Sequence, residues 1–164
     1  MRLKIMVTFL IVFALAAVAS AQTKISGTLQ CGKADPVYAI QVGDRPNHSF
    51  VIGQIKCTWA KPLEIAGVNS KEDVYTNFSE VSGTRSRAQS YGVGTMADGD
   101  KFYVRPQGSA VMKGGVLESG EGQWTFVGGT GKLKGLKGKG TYKEKGQADG
   151  TMTVEVEGEY ELPK

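Results

Sequence analysis

Thr151-Met152-Thr153-Val154-Glu155-Val156-Glu157-Gly158-Glu159-Tyr160-Glu161-Leu162 alternates without an error. Met152, Val154, Val156, Gly158, Tyr160 and Leu162 occupy one parity; threonine and glutamate occupy the other. A period of two over this length specifies a half-buried antiparallel strand. Upstream stands Lys139-Gly140-Thr141-Tyr142-Lys143-Glu144-Lys145, and between the two lies Ala148-Asp149-Gly150. A three-residue hairpin loop needs a left-handed last residue, which Gly150 supplies. That loop sets Gln147 opposite Thr151, Lys145 opposite Thr153, Lys143 opposite Glu155, Tyr142 opposite Val156, Gly140 opposite Gly158 and Lys139 opposite Glu159. Opposite charges then meet on one face and apolar groups on the other. A two-residue loop would instead oppose Glu144 to Glu155 and Lys145 to Val154. The three-residue register turns Glu144 inward, beside Tyr142, either at an open barrel end or at the mouth of a ligand cavity.

Working outward, further strands are expected at Lys24–Cys31, Val37–Val42, Ser49–Trp59, Asp73–Val81, Arg85–Met96, Lys101–Arg105, Ser109–Leu117 and Gly122–Val127. Turn signals punctuate them at Gly43-Asp44-Arg45-Pro46, at a second Ala-Asp-Gly (97–99) and at Gly114-Gly115. No helical period is found beyond Ala21. Gly27, Gly53, Gly92, Gly94, Gly122, Gly140 and Gly158 fall on or near the apolar parity, where glycine marks bends and close approaches. The expected fold is all-β: one antiparallel closed or nearly closed barrel of about eight strands, with a β-sandwich as the alternative.

Gly128-Gly129-Thr130-Gly131-Lys132-Leu133-Lys134-Gly135-Leu136-Lys137-Gly138-Lys139-Gly140-Thr141-Tyr142 is the most distinctive run. It is not a phosphate-binding loop, because Gly-x4-Gly-Lys-Ser/Thr is absent and no helix follows. Over residues 121–162 the chain resembles allene oxide cyclase-like and dirigent-like barrels, in which a similar Gly-Gly-Thr-Gly-Lys pattern follows a late strand. It is also similar there to small exported bacterial proteins without assigned activity. The resemblance implies an eight-stranded barrel with a central cavity and, by extension, chemistry on a reactive small molecule. No catalytic residue of either family maps onto a position here.

Residues 1–21 read as a secretory signal: Arg2 and Lys4, an apolar run from Ile5 to Ala19, then Ala19-Ser20-Ala21. Residues 22–164 then form a single domain with no membrane anchor, and loss of Arg2 and Lys4 lowers the formal charge from +4 to +2. In an oxidising compartment, periplasmic or extracellular, Cys31 and Cys57 can form one disulfide; two buried free thiols are the alternative.

Two cysteines and one histidine do not make a zinc site by themselves, and no cofactor or metal is expected. His48, in Arg45-Pro46-Asn47-His48-Ser49, reads as an exposed loop residue without triad partners. Asp98-Gly99-Asp100 reads as a turn, and Glu72-Asp73 as an acidic pair without a positional role. The strip Lys132, Lys134, Lys137, Lys139, Lys143 and Lys145 lacks interleaved aromatics and faces a glutamate strand, so no nucleic-acid partner is expected. The candidate ligand-binding residues are Trp59, Trp124, Phe126, Tyr142, Glu144 and Tyr160, with interior glycine leaving the space. Three functions fit: a barrel binding an apolar or aromatic small molecule, a filled barrel acting through its surface in the envelope, and a cyclase- or isomerase-like enzyme.

Overall fold

A computed structural model describes residues 22–163; the expected signal segment lies outside them. Ten strands follow in order: β1 (Thr23–Cys31), β2 (Val37–Gln41), β3 (His48–Trp59), β4 (Glu64–Ile65), β5 (Val68–Ser82), β6 (Arg85–Met96), β7 (Lys101–Lys113), β8 (Val116–Gly129), β9 (Lys137–Gly146) and β10 (Met152–Glu161). They lie side by side as β2-β3-β1-β10-β9-β8-β7-β6-β5-β4, and β3 also pairs with β5. That extra pairing closes β3, β1, β10, β9, β8, β7, β6 and β5 into an antiparallel ring of eight, so the structure is a barrel rather than a sandwich.

The last hairpin has the register its charges dictate. Tyr142 faces Val156, Gly140 faces Gly158, Lys143 faces Glu155 and Lys139 faces Glu159. Gln147 N–H donates to Thr151 O, and Gly150 holds φ +84° at the last place of a three-residue loop. Ala97-Asp98-Gly99 repeats the device, with Met96 N–H donating to Asp100 O and Gly99 at φ +93°. Val156 and Tyr160 are buried while Glu155 and Glu157 are exposed, as alternation requires.

One boundary departs from expectation. Lys101–Arg105 and Ser109–Leu117 are not two strands: β7 runs unbroken from Lys101 to Lys113 and turns at Gly114-Gly115 into β8. Pro106 interrupts the pattern without ending the strand. It lacks an N–H, and the ladder to β6 lapses there, between the Gln89–Gln107 and Gly92–Val104 pairs, while pairing to β8 continues through Pro106–Trp124.

The ring closes at its weakest place by three residue pairs of β1 and β3: Leu29–Trp59, Gln30–Thr58 and Cys31–Cys57. The remainder of that edge of β3 is taken by β2. Cys31 and Cys57, directly opposite and with Cα atoms 4.0 Å apart, form the disulfide. The link therefore fastens the closing seam. Cys31→Ala with Cys57→Ala is expected to lower stability by about 3.5 kcal/mol, the chain-entropy figure for a loop of 26 residues. Urea denaturation of the double variant checks this.

One end of the barrel is stoppered. The segment between β8 and β9 makes a single 3-10 turn, Gly131–Leu133, and turns Leu133 and Leu136 inward, both buried. Asp100 holds the turn by accepting from Lys132 N–H (2.9 Å) and the Thr130 hydroxyl (3.3 Å). The glycine-lysine run is thus a bend, as read. Leu63, Ile65 and Met96 complete the plug.

Candidate functional site

Inward positions are odd on β1, β3 and β5 and even on β6 to β10. On β6, β7 and β8 the inward set toward the open end is small: Ala88, Ser90, Gly92, Gly108, Ala110, Gly120 and Gly122. These glycines are not the source of space. Each is covered by a side chain lying along the sheet. A Cβ at Gly92 would meet the Tyr75 ring at 2.5 Å, one at Gly122 the Tyr142 hydroxyl at 2.6 Å, and one at Gly140 or Gly158 the Trp124 indole at 2.6 and 2.5 Å. Phe102 covers Gly94 in the same way. The Trp124 N–H donates to both Thr141 O and Glu157 O, each 3.2 Å away, which pins the ring across two strands. Trp124 and Phe126 pack at 4.9 Å between centroids, and Phe126 meets Phe102 edge-on at 5.3 Å.

A cavity of about 100 Å³ remains between this packed wall and the opposite strands. Trp59, Trp124, Phe126, Tyr142 and Glu144 all line it, together with Leu29, Ile55, Met152 and Val154. Glu144, Met152 and Val154 are only half-buried, so the cavity reaches solvent at the end opposite the stopper. Tyr160 does not line it; the residue lies buried near the stoppered end, paired across the ladder with Gly138. Burial pushes the Glu144 carboxyl above its ordinary value. Burial, then the neighbouring Glu144 charge, raises the Tyr142 phenol.

The residues that sequence reading missed lie mainly on β5. Asp73 is fully buried and accepts from the Trp59 indole N–H (3.1 Å) and the Tyr75 hydroxyl (3.3 Å), both through Oδ2. Its Oδ1 has no partner. Desolvation raises this carboxyl to about 7, against the two hydrogen bonds, which favour the ionised form. Tyr75, Asn77, Ser90 and Pro106 also line the cavity. Strand parity, the one local signal for Asp73, points the wrong way on β5. Val74 and Phe78 look like the apolar face of β5, yet Phe78 is 52 % exposed and Asp73 faces in.

His48 is buried at the start of β3, against the expectation of an exposed loop. Its Nδ1–H donates to Asp44 and its Nε2–H to Glu80 (3.0 Å), so two carboxylates satisfy both ring nitrogens and permit burial. Arg45 donates to Ser82 and pairs with Asp44, tying the β2–β3 loop to β5. The Asp44 hydrogen bond leads the effects that raise the imidazole above its usual value. Stability from this clamp is complete below the unfolded imidazole value of about 6.5 and is lost as pH rises through the folded one. Between pH 6 and 9 the melting temperature of His48→Gln is expected to fall less than that of the natural protein; parallel curves would refute the clamp.

Outside, the sheet is not wholly polar. Phe50 and Phe78 stack at 5.6 Å between centroids, and Ile52, Tyr38 and Ile40 are exposed on β3 and β2. Lys137, Lys139 and Lys143 of β9 face glutamates of β10 by register and Lys145 faces Thr153, without an ion pair among them within 4 Å. Among the described residues no cluster of three or more His, Cys, Asp or Glu is placed to hold a metal, and no helix is long and apolar enough to cross a membrane.

This is the fold of dirigent-type barrels. A pterocarpan synthase dirigent protein, PsPTS1, superposes with TM-score 0.50 at 16% identity, over 88% of this chain and 97% of that one. A second, GePTS1, gives 0.50 at 14% identity, over 88% and 86%. A pyocyanin demethylase overlaps at 0.45 and 14% identity, over 82% and 99%. No family model matches the sequence, and no curated protein matches it.

Proposed function

We propose that the protein is an exported barrel that binds an apolar or aromatic small molecule in its lumen. One observation carries the reading: a half-open cavity of about 100 Å³ whose wall is mostly aromatic and aliphatic, with Glu144 among its few polar groups. Cavities of that kind, apolar with a few convergent polar groups, are where small ligands bind. Export rests on the basic-apolar-small opening of the sequence and agrees with a disulfide at the seam. The test is a lumen-filling variant. Native mass spectrometry of the purified protein is expected to show a retained small molecule, or uptake of added one-ring aromatics. Val154→Trp is expected to abolish either with the β-sheet circular dichroism intact. Bare mass in both forms, with no uptake, would sink the reading.

A second reading, an interaction protein working through its surface, is favoured by the exposed Phe50, Phe78, Ile52, Tyr38 and Ile40. Patches of this kind mark contact sites. Bare mass throughout, joined to a loss of self-association or partner binding in Phe78→Ser, would select it.

A further inference from the structure

Resting on the lumen reading, we propose that the cavity selects organic cations: a protonated or quaternary amine on an apolar body about the size of one aromatic ring, with Glu144 as the counter-charge. Four observations converge on this chemistry. First, no Lys, Arg or His lines the cavity, although the chain holds 20 lysines and arginines. Those of β9 all face outward, at Lys137, Lys139, Lys143 and Lys145, while Glu144 between them faces in.

Second, Glu144 makes no ion pair among the described residues and stands opposite Val154, whereas three of the four outward glutamates of β10 stand opposite lysines. A carboxylate drawn from water without a cation is costly, and a bound cation is the group that would offset it.

Third, three of the four ring donors of the wall are already engaged with the protein, the Tyr142 hydroxyl being the fourth. The Trp59 indole and the Tyr75 hydroxyl both donate to Asp73, and the Trp124 indole donates to two backbone carbonyls. What these side chains can still offer a ligand is π-face and lone pair. Six aromatic rings line the space, and their negative faces attract ammonium groups, more strongly when desolvated. An anion finds no cation there, only the hydroxyls of Tyr142 and Ser90 and the Asn77 amide.

Fourth, Asp73 stands directly behind Trp59 and Tyr75, wholly buried and with Oδ1 unpartnered. Its negative charge, when present, adds to the sign of the same wall.

Three probes of equal size separate charge from shape: benzylamine, benzyl alcohol and benzoate, titrated calorimetrically into the purified protein at pH 7.5. Benzylamine is expected to bind at least tenfold more tightly than benzyl alcohol, with benzoate undetectable. Glu144→Gln is expected to bring the amine and the alcohol within twofold of each other. Val154→Trp is expected to abolish both. Equal binding of all three probes to the natural protein would overturn the cation proposal and leave the lumen reading standing. Amine binding that survives Val154→Trp would assign it to surface carboxylates and overturn the proposal too. Binding of none would remove both. The ratio in the natural protein decides the matter even if Glu144→Gln fails to fold.

Discussion

Trp124→Ala is expected to lower stability by about 5 kcal/mol, the upper part of the range for emptying a buried tryptophan site. Three losses coincide there. The indole is 5 % exposed, it covers the glycine pair Gly140 and Gly158, and its N–H bridges the carbonyls of Thr141 and Glu157. A domain of this size is stable by about 5–15 kcal/mol in all, so the variant is expected to be marginal. The ring and the glycines are complementary, and this gives the prediction a second arm. Gly140→Val alone would press a Cβ against the backbone carbonyl of Glu157 and, at 2.6 Å, against the indole Cζ2, at a cost of about 3 kcal/mol. In the Trp124→Ala background the indole contact is gone and the new methyls enter vacated space, while the contact with the Glu157 carbonyl remains. The two substitutions are therefore expected to be less damaging together than their sum, by at least about 1 kcal/mol in a double-mutant cycle. Strict additivity in urea midpoints would show that the backbone contact, and not the ring, sets the cost at Gly140.

Asp73→Asn is expected to flatten the acid side of the stability curve. The folded carboxyl titrates at about 7, raised from 3.8, so the folded state binds its proton more tightly than the unfolded chain does. Such a group favours folding fully below about pH 3.8 and progressively less as pH rises to about 7. A shift of this size corresponds to about 4 kcal/mol of differential stability across the window. Asparagine keeps an oxygen for the Trp59 and Tyr75 donors but cannot ionise. The difference in unfolding free energy between Asp73→Asn and the natural protein should therefore move in favour of the variant as pH goes from 4 to 8. The new amide, placed where Oδ1 has no partner, costs a pH-independent amount. A constant difference across the window would mean that Asp73 is ionised throughout in the fold.

The ring of strands was legible because β9 and β10 carry two signals at once, apolar alternation and opposed charge, and only one loop length satisfies both. The same rule turns Tyr142 and Glu144 inward, and both line the cavity. It had less to work with elsewhere. On β5 the inside is Asp73, Tyr75 and Asn77 and the outside includes Phe78, so the usual polarity is inverted and period alone points the wrong way. Pro106 reads as a break because a missing N–H normally ends pairing, yet here pairing lapses on one side of β7 only. Interior glycine reads as vacancy because a sequence does not say which neighbour leans over it; Tyr142 over Gly122 and Trp124 over Gly140 are matters of packing. His48 depends on Glu80, 32 residues away, which no local pattern could supply.

The plug of Leu63, Ile65, Met96, Leu133 and Leu136 makes the lumen a blind well and not a tunnel. Whatever enters past Glu144 must leave past Glu144, head last. A molecule with a long polar tail can be held only with the tail trailing into water, and two guests cannot pass each other. Exchange would then be first-order in departure of the resident, however concentrated its competitor.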